Sequence, residues 1–401
     1  YIKIWTDPAE DYRHDGTAGS GYRLLPGTGK AVRIRDNQDY INIEGIELGG
    51  GSSGDYDASV YIEASSYIDI SYCLMHGSKV GVWITNGSEN GVKIWNNIIY
   101  NTTDVSIIIE GGDTDANVVY NNTVYNSGSH GVLLNSWKDA YITNNIVVDS
   151  TNNDFEIESD AEVESGSGHN ISSDATAPGS NSKTSVSLSD LDFTNTSSGN
   201  EDFHIGQSSV AKNAGKDLSS DANLPFSDDI DGSTRIGAWD IGADEETTIK
   251  EFESIVDPDN GAGTDYTSLY NWEDGVETDL TATSTIVFSH GGITGSIADT
   301  DSVTGATTGA TADVVHATDD QILLENISGN FESGEQVQVD ASNHVTISDA
   351  GNPAIALATC RSTGGSADTT GVSIDGWTTD SSRYIKIWTD PAEDYRHDGT
   401  A

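Results

Sequence analysis

The sequence predicts an all-β chain wound as a parallel β-helix, and three observations carry that expectation. Short segments with apolar residues at i and i+2 recur at steps of 22 to 28 residues, and such alternation marks a strand with one buried face. Asn pairs keep a similar beat, in IWNNIIY from Ile94, VYNNTVY from Val119 and ITNNIVV from Ile142. The composition agrees: 43 Gly and a single Met among 401 residues, beside many Asn, Ser, Thr, Ile and Val, disfavour a helical bundle and favour short strands and tight turns.

The clearest row of strands is Val32, Val60, Val82, Ile107, Val132 and Phe155, at steps of 28, 22, 25, 25 and 23 residues. Ile34, Ile62, Ile84, Ile109, Leu134 and Ile157 follow two residues on. Steps of this length, each holding two or three strands and Asn or Gly turns, describe the coils of a solenoid. The pairs Asn96/Asn97, Asn121/Asn122 and Asn144/Asn145 would stack as two ladders at a coil corner, each amide bonding the one about 4.8 Å above it. Between the inward residues lie outward ones. Tyr61, Trp83, Ile108 and Leu133 would form an apolar stripe, with Trp95 and Tyr120 a second pair on the next sheet, and exposed apolar surface of this extent suits an interface or a glycan platform; the alternative is that a long loop or the inserted domain folds over it.

A longer period overlies the short one. YIKIWTDPAEDYRHDGTA occurs at residues 1–18 and again, unchanged, at 384–401, a step of 383 residues. The simplest reading is one period plus an overlap, cut from a longer tandem array; a terminal duplication is the other. Further along, Tyr266, Leu269, Trp272 and Val276 suit one face of a short helix closing the first coil, since open strand ends invite edge pairing. Between Ile286 and Asn352 the rhythm lapses into short alternating strands with Gly turns, as expected of a small inserted β domain acting as a decoration or a spacer.

These patterns resemble the right-handed parallel β-helix proteins of the pectate-lyase-like superfold, and the handedness is taken from that resemblance. DYTSLYNWEDGV from Asp265, VSIDGWTTDSSRYIKIWTD from Val372 and DIDGSTRIGAWDIGADE from Asp229 look like signatures of secreted bacterial and archaeal surface proteins of this fold. They lie there at the start, in the early coils and at the end of a helix domain. The implied organisation is a β-helix over 1–245, a linker with cap helix and first strand over 246–285, the insert over 286–352, and early coils over 353–401, where 384–401 begins the next copy.

With 65 acids against 18 bases the chain carries −47, or −45 per repeat. Its pI near 4.1 excludes an electrostatic footprint for nucleic acid or an anionic membrane. No apolar run reaches about 18 residues, so no membrane insertion is expected. Hard cations are the better partners. Calcium is the expected ligand, at Asp228, Asp229 and Asp231 in one Gly-bearing turn and at Asp257, Asp259 and Asp265 in another, although neither completes an EF-hand.

Catalysis has thin support. Lyases of this fold would need carboxylates holding calcium near an Arg or Lys, and only Arg33 and Arg35 near Glu63 hint at that. No set of Asp residues aligns on successive coils for hydrolysis, and His76 and His130 are lone residues beside turns. Cys73 and Cys360 are too far apart to bridge across a repeat junction and suit small buried hydrophobes. Asn86, Asn101, Asn121, Asn170, Asn195 and Asn326 open N-x-[ST] sites, but Asn121, placed in the ladder, has no room for a glycan. The expected function is a non-catalytic extracellular filament, sheath or stalk built of repeats stacked end to end on copies of itself. The alternative is a surface adhesin or a carbohydrate-binding, lyase-like protein that contacts glycans or neighbouring filaments.

Overall fold

The computed structural model describes residues 1–6, 13–14, 16–85, 91–110, 116–235, 238–246, 249–349, 351–380 and 382–389. The chain divides into two units, one of residues 1–235 and 239–246, the other of 236–238 and 247–401.

In the first unit three parallel sheets of seven, seven and six strands wind as stacked coils. The first sheet runs from Ile2–Trp5 through Ile41–Glu44, Ile68–Ser71, Lys93–Trp95, Asn117–Tyr120 and Asp139–Thr143 to Glu162–Val163. The second starts at Arg23–Leu24 and ends at Ile171–Ser172, and the third extends from Lys30–Ile34 to Phe155–Ile157. Registers follow the sequence rows: Val32 pairs with Val60, Val60 with Val82, Val82 with Ile107, Ile107 with Val132 and Val132 with Phe155. Each such step repeats the inward side chain one coil up. The result is apolar columns such as Ile43, Ile70, Ile94, Val119 and Ile142, all fully buried.

The coils end earlier than residue 245. The last pairings along the stack are bridges from Gly168 to Ser180 and from Ile171 to Lys183. Residues 188–246 then form a one-turn helix at Leu188–Leu191, an antiparallel hairpin of Phe193–Asn195 with Asp202–Ile205, and an irregular stretch. That stretch lies on the outside of the first two sheets, and Leu218, Leu224, Ile230, Trp239 and Ala243 bury against Tyr72, Trp95, Ile98, Tyr100 and Tyr120.

The second unit is built on three parallel strands, Lys250–Val256, Asn352–Cys360 and Ile385–Trp388. The helix is Leu269–Val276; Ser268 caps its N-terminus by accepting from the Asn271 amide, and Trp272 and Val276 are buried. Between the first two parallel strands lies an antiparallel set from Ile286–Thr294 to Asn343–Ile347. Ile286–Thr294 pairs with both Gln321–Ser328 and Asn343–Ile347, which closes six strands into a ring around Phe288, Val314, Leu324, Val337 and Val345. An insertion thus separates two strands that are neighbours in one sheet. Both cysteines are free.

Candidate functional site

The corner between the first two sheets sets the chemistry of the outer wall. Its first position is left-handed in successive coils, at Gly45, Tyr72, Asn96, Asn121 and Asn144. Asn tolerates this backbone better than most residues, which accounts for one member of each Asn pair. The second members point inward and form the ladder: Asn97 Nδ2 donates to Asn122 Oδ1, Asn122 to Asn145 and Asn145 to Asn170, each at 3.0 Å. Each side-chain oxygen also accepts the backbone amide of the ladder residue one coil below. Cys73 occupies the same position one coil earlier and donates its amide to Asn97 Oδ1 at 2.9 Å, ending the row.

Two expectations are corrected here. The ladder has a further rung, Asn170, which is fully buried and therefore offers no site for a glycan. Asn96, Asn121 and Asn144 form no second continuous ladder. One bond joins Asn144 to Asn121 at 3.1 Å, and otherwise the three bind the overlying segment. Asn96 Nδ2 donates to the Asp228 carbonyl at 2.7 Å, Asn121 Nδ2 to that of Gly242 at 3.0 Å, and Asn144 exchanges two bonds with the Lys216 backbone at 2.8 Å.

The same overlay removes the expected exposed pair. Trp95 and Tyr120 are buried because Leu218, Leu224, Ile230, Trp239 and Ala243 pack in the same cluster over them. The stripe is also largely closed: Tyr61 and Ile108 are buried and Trp83 and Leu133 half-buried, packed with Ala58, Val80 and Val105. Tyr56 stacks on Trp83 at 5.9 Å, and Trp83 Nε1 donates to Glu110 at 3.0 Å. Neither set is a bare platform. Apolar rows on stacked strands gain more by covering themselves than by facing water.

Arg235 clasps the overlay. Its buried guanidinium pairs with Glu245 at 3.0 Å and donates to Asn96 Oδ1 at 3.1 Å and to the carbonyls of Asp228, Gly242 and Ala243. This accounts physically for much of the DIDGSTRIGAWDIGADE run.

The carboxylates expected to hold calcium have partners within the protein, mostly backbone amides. Asp228 accepts the Tyr72 hydroxyl at 2.5 Å; Asp229 accepts the amides of Asp231, Ser233 and Glu245. Asp257 accepts amides of Asp259, Gly261 and Thr363 and pairs with Arg361 at 3.3 Å; Asp259 accepts those of Gly364 and Ser366; Asp265 accepts that of Ile255. A calcium site needs six to eight convergent oxygens, and an ion at either run would have to share or displace these partners.

Asp231 lies instead in a cluster with His204 and Asp244. His204 Nδ1 meets Asp202 at 2.5 Å and Nε2 meets Asp231 at 3.0 Å. Burial disfavours its charge, but the surrounding carboxylates of Asp231, Asp244 and Asp202 outweigh it and hold the ring's pKa at about 10. Both ring nitrogens thus face carboxylates, and a metal held here would have to take the place of the ring proton. Burial pushes Asp229 up to about 6, against the pull of Arg235, and Asp244 up to about 7, against that of His204. Asp240 is also raised by burial. Glu273, Glu277 and Asp375 are the other described group close enough to share a cation, although Glu273 Oε1 already accepts the Asp375 amide at 3.0 Å.

Residues 29–202 match the family model of a right handed beta helix region, the same stretch that holds most of the coils. The coil stack is a right-handed parallel β-helix. No curated protein matches the chain.

On this β-helix the lyase candidates reduce to an exposed Arg33–Glu63 ion pair at 2.5 Å and an Arg35–Asp36 pair at 3.2 Å. Of the lone histidines, His76 bonds the buried Glu47 at 2.9 Å and His130 Nδ1 accepts the Asn153 amide at 3.3 Å. One cleft escaped sequence reasoning. Tyr40 and Tyr67, one coil apart, stack at 5.0 Å with rings 9° from parallel, and both are exposed. They line a cleft of about 360 Å³ with Asn42, Asp69 and Lys93. Both tyrosines sit in left-handed turns, outside the strand rows that the periodicity reveals; their 27-residue spacing was the available signal. Of the remaining N-x-[ST] sites Asn326 is exposed and Asn101 and Asn195 half-buried; Asn121 is buried, and Asn86 lies outside the described residues.

Proposed function

We propose that the chain is a structural, non-catalytic segment of an extracellular fibre, sheath or stalk in which 383-residue repeats stack end to end. The observation that carries this reading is where apolar surface remains. On the β-helix the aliphatic lateral rows are largely buried and the exposed lateral residues are the aromatic Tyr40, Tyr56, Tyr67 and Trp137, while the first coil leaves Ile2, Ile4, Trp5, Tyr22 and Leu25 exposed. Apolar exposure at the end of a solenoid suits axial stacking, because each coil is stabilised mainly by its neighbours. Negative-stain images of chains carrying several copies should show fibres with a regular axial repeat; dispersed particles would count against it.

A second reading, a carbohydrate-binding surface protein, is favoured by the Tyr40–Tyr67 stack, since flat aromatic faces beside amide and carboxylate groups suit sugar rings. Depolymerisation of acidic polysaccharide, or oligosaccharide binding lost on Tyr67→Ala, would favour that reading instead.

A further inference from the structure

The repeated sequence places one strand in two settings. Ile2–Trp5 is the first strand of the first sheet and pairs in parallel with Ile41–Glu44, Ile2 opposite Ile41 and Ile4 opposite Ile43. Among the described residues no strand occupies its other edge. Ile385–Trp388, the same four residues, is the last strand of the second unit's parallel set. It pairs with Asn352–Cys360, Ile385 opposite Ala356 and Ile387 opposite Ala358, and its other edge is likewise open among the described residues.

The two settings use opposite edges. In an extended strand the N–H and C=O groups of alternate residues point to opposite sides. The Ile2 amide donates to the Tyr40 carbonyl at 3.0 Å and the Thr6 amide to that of Glu44 at 3.2 Å, so residues 2, 4 and 6 face the next coil. In the other copy Tyr384, the counterpart of Tyr1, accepts the Ala356 amide at 3.1 Å, which turns the counterparts of residues 1, 3 and 5 toward Asn352–Cys360. One strand can therefore make both sets of bonds at once.

Side chains agree. Ile2 and Ile4, 52% and 43% exposed, stand in register with buried Ile41 and Ile43. Ile385 packs on the core that holds Phe252, Ala356 and Ala358. The shared lysine reaches a carboxylate in each setting, Lys3 to Glu44 at 3.0 Å and Lys386 to Glu251 at 2.7 Å. Trp388 Nε1 also donates to Thr359 at 3.0 Å, a bond whose counterpart at Trp5 awaits a partner strand.

Building on the stacked-repeat reading, we propose that the parallel strands 250–256 and 352–360 of one copy dock on the first coil of the next copy along the same polypeptide. The IKIW strand is shared between them. One sheet would then run without a break from Lys250–Val256 through Asn352–Cys360 and the shared strand into Ile41–Glu44 and the rest of the stack. The apolar column Ala358, Ile387, Ile43, Ile70 would cross the junction, and an open edge that otherwise invites uncontrolled pairing would be closed.

Amide hydrogen exchange at single-residue resolution tests this. In the 401-residue chain Ile4 should exchange slowly and Lys3 and Trp5 fast, while Lys386 and Trp388 are slow and Ile385 and Ile387 fast. In a chain with two consecutive copies, with Ile387→Val marking the internal strand by mass, every amide of that strand should be slow. The amides at 385 and 387 should slow by on the order of a hundredfold, as expected when a frayed edge joins a cooperative sheet. Unchanged fast exchange at 385 and 387 would overturn the shared strand. Long fibres without this protection would keep the stacked-repeat reading and overturn only the junction; protection without fibres would do the reverse.

Discussion

At the scale of single residues the two members of each Asn pair do different work. Asn97, Asn122, Asn145 and Asn170 bond one another inside the corner, whereas Asn96, Asn121 and Asn144 take the left-handed backbone and bind the overlay. Sequence showed that the pairs recur, but both members share one period, so periodicity could not separate the roles; the backbone angle does. Asn122→Ala would strand the Asn97 amide and leave the carbonyls of Ile94 and Tyr120 without their side-chain donor. It should cost about 1–3 kcal/mol in urea unfolding. Asn122→Asp should cost more, since a carboxylate presented to two carbonyls repels where the amide donates. Equal losses in the two variants would show that ladder polarity is unimportant.

At the scale of elements, what was legible followed burial and period. The third sheet's register could be read because each strand repeats its inward residues at one coil's distance, and the helix at Leu269–Val276 was foreshadowed by Trp272 and Val276 on one face. The overlay was not legible. Its anchors, Leu218, Leu224, Ile230 and Trp239, have no strand or helix period, and they pack on residues roughly 100 or more positions earlier. The outward aromatic residues fall on the wall as expected, and of the two readings, an exposed surface or one covered by a returning segment, the second holds for Trp95 and Tyr120, which a single row could not decide. The closing of the inserted strands escaped for the same reason: Ile286–Thr294 pairs with two strands distant in sequence. Trp239 packs edge-on to Phe226 at 5.2 Å and is buried. Trp239→Ala should cost about 3–5 kcal/mol and open residues 215–235 to limited proteolysis, with fluorescence reporting Trp95 newly exposed. Undiminished protease resistance would mean the overlay is held mainly by Arg235.

For the whole molecule, net charge says less than where the acids sit. The folded pKa values of Asp229 and Asp244, about 6 and about 7, lie above the ordinary 3.8 because both are buried. Their stabilising contribution is therefore full below pH 4 and is lost as pH rises to 7. In the second unit Asp265 is raised in the same way, but other carboxylates behave oppositely. Burial disfavours the Asp349 carboxylate, but Ser289 and Lys250 outweigh it and depress its pKa; amides of Thr308, Glu332 and Thr307 likewise outweigh burial at Glu335. Those contributions are present above the ordinary carboxylate range and disappear as pH falls through the depressed values. Calorimetry should show the first unit's transition falling between pH 4 and 7, with the slope reduced in Asp244→Asn, and the second unit's falling as pH drops, first below 6.5 because burial lowers the pKa of His290, then below 4 through these carboxylates. Parallel movement of both transitions would refute the assignment. One further consequence follows from the overlay's bonds to Asn96, Asn121 and Asn144 on three successive coils. A ladder alone is indifferent to an insertion or deletion of one coil, since every rung resembles the next. The overlay is not, because a missing rung would leave its later anchors one coil out of place. It serves as a ruler that fixes the number of coils it spans.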